Sequence, residues 1–373
     1  MLEEILNPYS PFFWILVISI ILLVVIIMSR PFSTYIKFVY PNAKFEAIGN
    51  PFIHEKELNN IVEAKDLLSF KESLNGMKDY EIIGEDTYSI QKSLDDNFLN
   101  TIKMMRKDSS KKLYDFFETY LEKVDLYLIK NEVKKIVLDI PHSNNVDYAI
   151  LTRTKQILSE IKESEKEKLL DLLQKYDYNK DILNSISKEK PDVLEIDMVF
   201  DRYIINKLKH VKVPYKCEQT KQSYLNYIID IANIKNILRA KNLDYNKDSC
   251  ITLFLGEGQE IAEWKFNELV ELEKPSQIIS SLEGTSYFNI LKDAIEDYNK
   301  EGSVQVFELS LDGYFLKIVK DVSIQNYLNL GPTIRYLASK EIEIRNLKII
   351  TKGIGEKIQS KIIKNYLIKE VAQ

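Results

Sequence analysis

Apolar residues fall at intervals of three and four along most of this chain, the spacing of helices with one buried face. Leu58, Ile61, Val62, Leu67 and Leu68 mark a helical stretch from Glu55 to Leu74. The same spacing predicts helices over about Lys111–Asp139, over Thr152–Tyr178 as one long helix or two short ones, over Ile261–Leu272 and over Glu356–Lys369. Gly331–Gly353 is a further helix whose ends are written in the sequence, with Pro332 suited to its first turn and Gly353 as a stop. Between these lie a turn-rich stretch at Tyr40–Asn50, a linker at Asp139–Asn145 and a break at Ser187–Pro191. One run departs from amphipathic spacing: Pro11–Met28 is 18 residues without a charge. At about 1.5 Å per residue it is just long enough for a bilayer core of about 30 Å.

The last long helix has shortened counterparts upstream. Its centre, Ile344-Arg345-Asn346, recurs as Ile234-Lys235-Asn236 and Ile129-Lys130-Asn131, with 105 residues between the first two asparagines and 110 between the last two. A second landmark precedes each: Leu94-Asp95, Phe200-Asp201 and Leu311-Asp312, each followed by any residue, Asn or Tyr, and two apolar residues. The Asp-to-Asn distances are 36, 35 and 34 residues. Two landmarks in register three times predict an all-α protein of three similar helical-bundle domains, each longer than the common solenoid repeats of about 20 to 50 residues. The expected division is a membrane anchor over residues 1–34 and repeat domains over 35–140, 141–244 and 245–373.

Composition fits this picture. Charged residues make up 29% of the chain while glycine and proline number only 11 and 10, which favours helices over a sandwich or a disordered chain. The net charge of −5 argues against nucleic acid as the partner. Cys217 and Cys250 follow no CxxC pattern and imply a reduced, cytoplasmic setting. Arg30, Lys37 and Lys44 after the apolar run place the bulk of the chain on the cytoplasmic side of the cell membrane, with Tyr9 and Trp14 at the opposite interface. A cleaved signal peptide fits less well, because Glu3 and Glu4 stand where a basic region is expected.

Candidate chemistry is sparse. Gly256-Glu-Gly258 and Gly353-Ile-Gly355 lack the rest of a phosphate-binding loop, His54, His142 and His210 are scattered, and no nucleophile motif appears, so no catalytic, cofactor or metal site is expected. Basic residues over Lys103–Lys112 read as a solvated helix face. Asp95, Asp201 and Asp312 are placed as helix-cap or interhelix hydrogen-bonding groups, because a residue needed for one reaction has no reason to be copied three times. Asn131, Asn236 and Asn346 are the more informative positions. Asn346 sits among Ile342, Ile349 and Ile350, where an unpaired amide is costly, so either these asparagines bond across helix crossings or they face a shared central surface.

The residues Gly331-Pro332, Tyr336-Leu337, Lys340-Glu341, Glu343, Asn346-Leu347 and Ile350 resemble the C-terminal signature of the C subunit of archaeal-type (A-type) ATP synthases, a relative of the d subunit of vacuolar ATPases. Tyr40-Pro41-Asn42-Ala43 resembles the start of that family, although Lys44, Phe45 and Glu46 stand where its members commonly carry arginines. A leading membrane helix resembles the forms found in methanogens. The resemblance implies three helical domains in a pseudo-threefold funnel, without catalysis or cofactors, standing on the membrane proteolipid ring and receiving the central-stalk shaft. Its task would be to pass torque during proton- or sodium-driven ATP synthesis. The alternative is a membrane-tethered helical scaffold unrelated to ion pumping.

Overall fold

The computed structural model describes residues 8–48, 52–77, 79–141, 146–164 and 166–370, and every regular element among them is helical. In chain order these are α1 (Pro11–Ile48), α2 (Glu55–Val62), α3 (Leu67–Asn75), α4 (Thr87–Asp108), α5 (Tyr114–Val137), α6 (Thr152–Lys162), α7 (Lys166–Lys175), α8 (Lys180–Ile186), α9 (Val193–His210) and α10 (Cys217–Asn242). They continue with α11 (Lys247–Thr252), α12 (Glu263–Val270), α13 (Pro275–Ser281), α14 (Phe288–Asp293), α15 (Ile295–Glu301), α16 (Gln305–Gln325), α17 (Gly331–Gly355) and α18 (Ser360–Lys364). Glu3, Glu4, Asn50 and most of the expected linker, His142–Asn145, lie outside the described residues.

Six long helices build the body. In chain order α4, α5, α9, α10, α16 and α17 each pack on the next, and α17 then returns to pack on α4, so the circuit closes. The apolar cores straddle the expected segments. Phe116, Phe117, Tyr120 and Leu121 of α5 join the first core, whereas Leu126, Ile129 and Val133 of the same helix join the second. Cys217, Tyr224 and Leu225 of α10 join the first core, while Ile234, Ile237 and Leu238 join the third. Both α5 and α10 therefore bury one end in one core and the other end in another. Helix α17 belongs mainly to the first core, through Ile334, Leu337, Leu347 and Ile350.

Four elements differ from the sequence expectation. The Glu55–Leu74 stretch is two helices, α2 and α3, because Asp66 caps a new start by accepting from Ser69 N–H (2.8 Å). Over the described part of the expected turn, Tyr40–Ile48, the chain is helical: α1 runs on through Pro41 to Ile48, since Phe38 and Phe45 bury themselves in the first core and outweigh the local turn signals. Gly353 does not stop α17. It lies inside the helix where a Cβ would come within 2.5 Å of the Ile363 side chain, so its role is close approach. The stop falls at Lys357, in the left-handed region at φ +57°, with Ile358 N–H donating to Gly353 O (2.8 Å) and Lys357 N–H to Ile354 O (3.0 Å). That pairing is a Schellman cap on a non-glycine residue. Nor is Glu356–Lys369 one helix: only Ser360–Lys364 is helical, and the chain then turns back along α17.

Candidate functional site

The polar groups between the long helices form interhelix locks, and several of them are on α17. Lys340 and Glu343, one turn apart on α17 and both buried, pair at 2.7 Å. Glu343 also accepts from the backbone N–H of Ile53 (2.5 Å) and from the Tyr80 hydroxyl. Burial pushes the Glu343 carboxyl up, Lys340 opposes it, and burial together with Glu343 raises Tyr80 well above an ordinary tyrosine. Glu341 faces the other way. It accepts from Tyr120 of α5 and from Lys123 of the same helix (2.7 and 2.8 Å). Tyr224 of α10 is buried beside Tyr120 without reaching hydrogen-bonding geometry, so α5, α10 and α17 converge at one junction. Burial lowers the Lys123 ammonium, but Glu341 together with Tyr224 and Asp201 more than offsets this and the net direction is up.

A set of backbone clamps lines the same helices. Asp230 on α10 accepts from the N–H groups of Gln259 (3.0 Å), Glu260 (2.8 Å) and Ile261 (2.9 Å) and from the Tyr287 hydroxyl (3.0 Å). Gly258 is required there, because a Cβ would lie 1.9 Å from the Asp230 carboxylate. Asp125 on α5 accepts from Ile150 and Leu151. Lys221, fully buried on α10, donates to carbonyls at the C-terminal end of α9, Lys209 O (2.8 Å) and Val211 O (2.5 Å). Asp125, Lys221 and Asp230 do not stand out in the sequence, where each reads as an ordinary surface charge.

The repeated positions sit at helix contacts and do not converge on one point. Lys130, the residue before Asn131, pairs with Asp201 at 3.0 Å; Lys235, before Asn236, pairs with Asp312 at 2.5 Å. Arg345, before Asn346, also reaches Asp312 (3.1 Å), and Lys348 lies 2.6 Å from Asp95. Ion pairs thus run from α5 to α9, from α10 to α16 and from α17 to α4, following the closed circuit of helices. The repeated aspartates are interhelix partners, not helix caps.

Asn346 is fully buried and clamps the returning chain, donating to Ile368 O (2.7 Å) and accepting from Ile368 N (2.9 Å). Asn236 makes a single bond to Leu253 O (3.2 Å), and Asn131 is half-buried. A two-sided clamp like that of Asn346 occurs at Asn233, which donates to Gly256 O (2.9 Å) and accepts from Leu255 N (2.8 Å), 22 residues on from Asn233 just as Ile368 is from Asn346. The amide one turn before Asn236 carries no mark in a three-residue landmark, so only the structure finds it.

The Asp95–Lys348 contact is close but poorly aligned for a hydrogen bond, so burial dominates and pushes the Asp95 carboxyl up to about 6 from 3.8. An acid raised in the folded state contributes stability that is complete below its unfolded pKa and is lost as pH rises through the folded value. Two pKa steps correspond to about 3 kcal/mol, lost between about pH 4 and 6. Asp95→Asn is expected to flatten the melting temperature over that interval and to raise it at pH 7, since Lys348 keeps access to solvent. An unchanged pH slope in the variant would show that Asp95 is not the group responsible.

Among the described residues no group of three His, Cys, Asp or Glu side chains is placed to hold a metal ion. Cys217 and Cys250 are free, buried and apart, and burial pushes the Cys217 thiol up to about 12, far from a nucleophile. What the arrangement can do is mechanical: ion pairs, clamps and buried amides hold successive helices at fixed crossings.

Comparison with known proteins agrees with this. The model of the ATP synthase (C/AC39) subunit family matches residues 41–366. The A-type ATP synthase C subunit of Methanobrevibacter smithii is 31% identical over 353 residues, covering 92% of this chain and 90% of the relative. The equivalent C subunits of Methanothermobacter thermautotrophicus and Methanocaldococcus jannaschii are 28% and 26% identical, covering 90% and 97% of this chain and 88% and 94% of the relatives. Four of the signature residues named from sequence form α17 locks: Lys340 with Glu343, Glu341 with Tyr120 and Lys123, and Asn346 with Ile368. This chain belongs to the ATP synthase (C/AC39) subunit family.

Proposed function

We propose that the chain is the non-catalytic coupler of an A-type ATP synthase, joining the central-stalk shaft to the membrane proteolipid ring and passing torque between them. The observation that carries this reading is the closed circuit of six helices locked by α17. A torque-bearing part must resist shear between its helices, and paired buried charges with two-sided amide clamps oppose sliding in a way that apolar packing, which is non-directional, does not. Three quasi-equivalent helical segments around that circuit would offer a broad base and a central seat. Ion choice would reside in the ring.

We read α1 as a single-pass anchor whose bulk-side end is built into the body. Its apolar window is exposed throughout, yet the same helix reaches the first core through Phe38 and Phe45 and is tied to the body by Asn42 and Lys44. A rigid helix of this kind restrains the body's orientation on the membrane, whereas a flexible tether would leave it free. The test is mild detergent extraction of native membranes through an affinity tag on this chain. Recovery of proteolipid and nucleotide-binding subunits together is the expected result; an ATP synthase that purifies intact without this chain would favour the membrane-tethered scaffold instead.

A further inference from the structure

Between the apolar span and the body, α1 forms a neck whose apolar face the body leaves uncovered. With the charge-free run Pro11–Met28 as the bilayer core, a helix along the membrane normal rises about 6 Å beyond the core at Phe32, about 12 Å at Ile36 and about 18 Å at Tyr40. The headgroup layer accounts for only about 5–8 Å of that. Phe38 and Phe45 enter the first core, and Asn42 donates to Tyr327 O (2.6 Å) and Asn329 O (3.1 Å). The turn before α17 is thus held about 20 Å from the hydrocarbon, which leaves room beneath the body for a protein rim.

Phe32, Tyr35, Ile36, Val39 and Tyr40 are all exposed on this neck, and their spacing of i, i+3, i+4, i+7 and i+8 gathers them into one stripe. The rings of Phe32 and Tyr35 stand 6.2 Å apart along it. At about 100° per residue, the stripe points about 130° away from the side on which Phe38, Asn42 and Phe45 enter the body, and as far from Lys37 on the other flank. An apolar stripe at this spacing is the seam that a helix lays against other helices, and at Ile36 to Tyr40 it lies beyond the reach of acyl chains. The span below is different. No part of it is buried in the body, and Ser19 is the only small residue from Pro11 to Met28, so it lacks the small-residue seam by which spans pack closely and suits lipid on every side. The protein contact is therefore at the neck, ahead of residue 41 where the family match begins.

We propose that α1 descends through the proteolipid ring, with the stripe from Phe32 to Tyr40 packed against apolar side chains of the ring's inner wall. This inference rests on the coupler reading. A part that passes torque turns with the ring, and α1, built into the body, has to turn with both. Outside the ring such a span would sweep once per revolution through whatever stationary part the ring turns against, whereas inside its path is free. Because the stripe points away from the body, a helix descending inside the ring turns it toward the surrounding wall. Burying it there removes apolar surface from water, and a neck seated at the wall lies off the axis, where it acts as a key that keeps the body from slipping on the ring.

The test uses the tagged complex from native membranes, reconstituted in vesicles, with a benzophenone carried by Ile36→Cys, Tyr40→Cys or, as the flank control, Lys37→Cys. Native Cys217 and Cys250 are buried, which keeps the label on the introduced thiol of this chain. Irradiation should link Ile36→Cys and Tyr40→Cys to the proteolipid several-fold more than Lys37→Cys, at peptides of the wall that a hydrophobic carbene reagent in the surrounding bilayer leaves unlabelled. ATP-driven ion pumping should survive the linkage, because the linked parts turn together. Links to the reagent-labelled outer wall, or to a stationary subunit with loss of pumping, put the helix outside the ring and overturn the proposal. Links to lipid alone, or equal yields at all three positions, leave the stripe without a ring contact and also overturn it, while the coupler reading stands. A complex that contains no proteolipid removes the coupler reading and this inference with it.

Discussion

Glu343→Leu is expected to destabilise the folded chain by about 3–5 kcal/mol, because it leaves the Lys340 ammonium buried without its partner. Lys340 is 2% exposed, and the nearest carboxylate left to it is Asp79 at 3.9 Å. The leucine also strands the Ile53 N–H and the Tyr80 hydroxyl, each a further unsatisfied donor. These contacts tie the first segment of the chain to its last helix, so their loss should open the circuit between α17 and the α2–α4 region before the rest unfolds. Urea unfolding in detergent, followed by helical circular dichroism, gives the midpoint. The paired variant Lys340→Met with Glu343→Leu should recover much of the loss, since an apolar pair replaces a buried ionic one at little cost. A single variant as stable as the parent, or a double variant worse than both singles, would contradict the assignment.

Asn346→Leu is expected to cost about 2–6 kcal/mol, from two unpaired groups of the Ile368 backbone at roughly 1–3 kcal/mol each. Asn346→Asp keeps the acceptor for Ile368 N but turns a donor toward Ile368 O into a carboxylate oxygen, so it should be worse above its own raised pKa and partly recover at acid pH. The effect should be local to the C-terminal return. Hydrogen exchange of residues 365–370 should accelerate in either variant more than that of α10. Equal acceleration throughout would mean that Asn346 supports the whole body and not one crossing.

Much of the helical framework was legible in the sequence, because it is written in apolar spacing and in the start signal at Gly331-Pro332. Asn346 was legible for a related reason: an amide surrounded by isoleucines has to find partners, and it does. What the sequence concealed depends on long-range contacts. Pro41 and Asn42 look like a turn, yet Phe38 and Phe45 on either side find a core only when α17 is present, and the helix persists. Gly353 looks like a stop, but the approach of Ile363 explains it, and the true stop at Lys357 has no glycine to announce it. Lys221, Lys340, Asp230 and Glu343 look like surface charges, since nothing local says that backbone carbonyls, N–H groups or tyrosines will surround them. The aspartate landmarks were found by register, while their lysine partners became visible only when helices distant in sequence were brought side by side.

The central claim is that this chain couples a rotating shaft to a membrane ring, and the most direct measurement compares ion-driven ATP synthesis with ATP hydrolysis in membranes with and without it. Removing the chain should abolish gradient-driven synthesis and ATP-driven ion pumping while ATP hydrolysis continues uncoupled, and adding the chain back should restore coupling. Gradient-driven synthesis that persists at the parental rate in membranes lacking the chain would contradict the account.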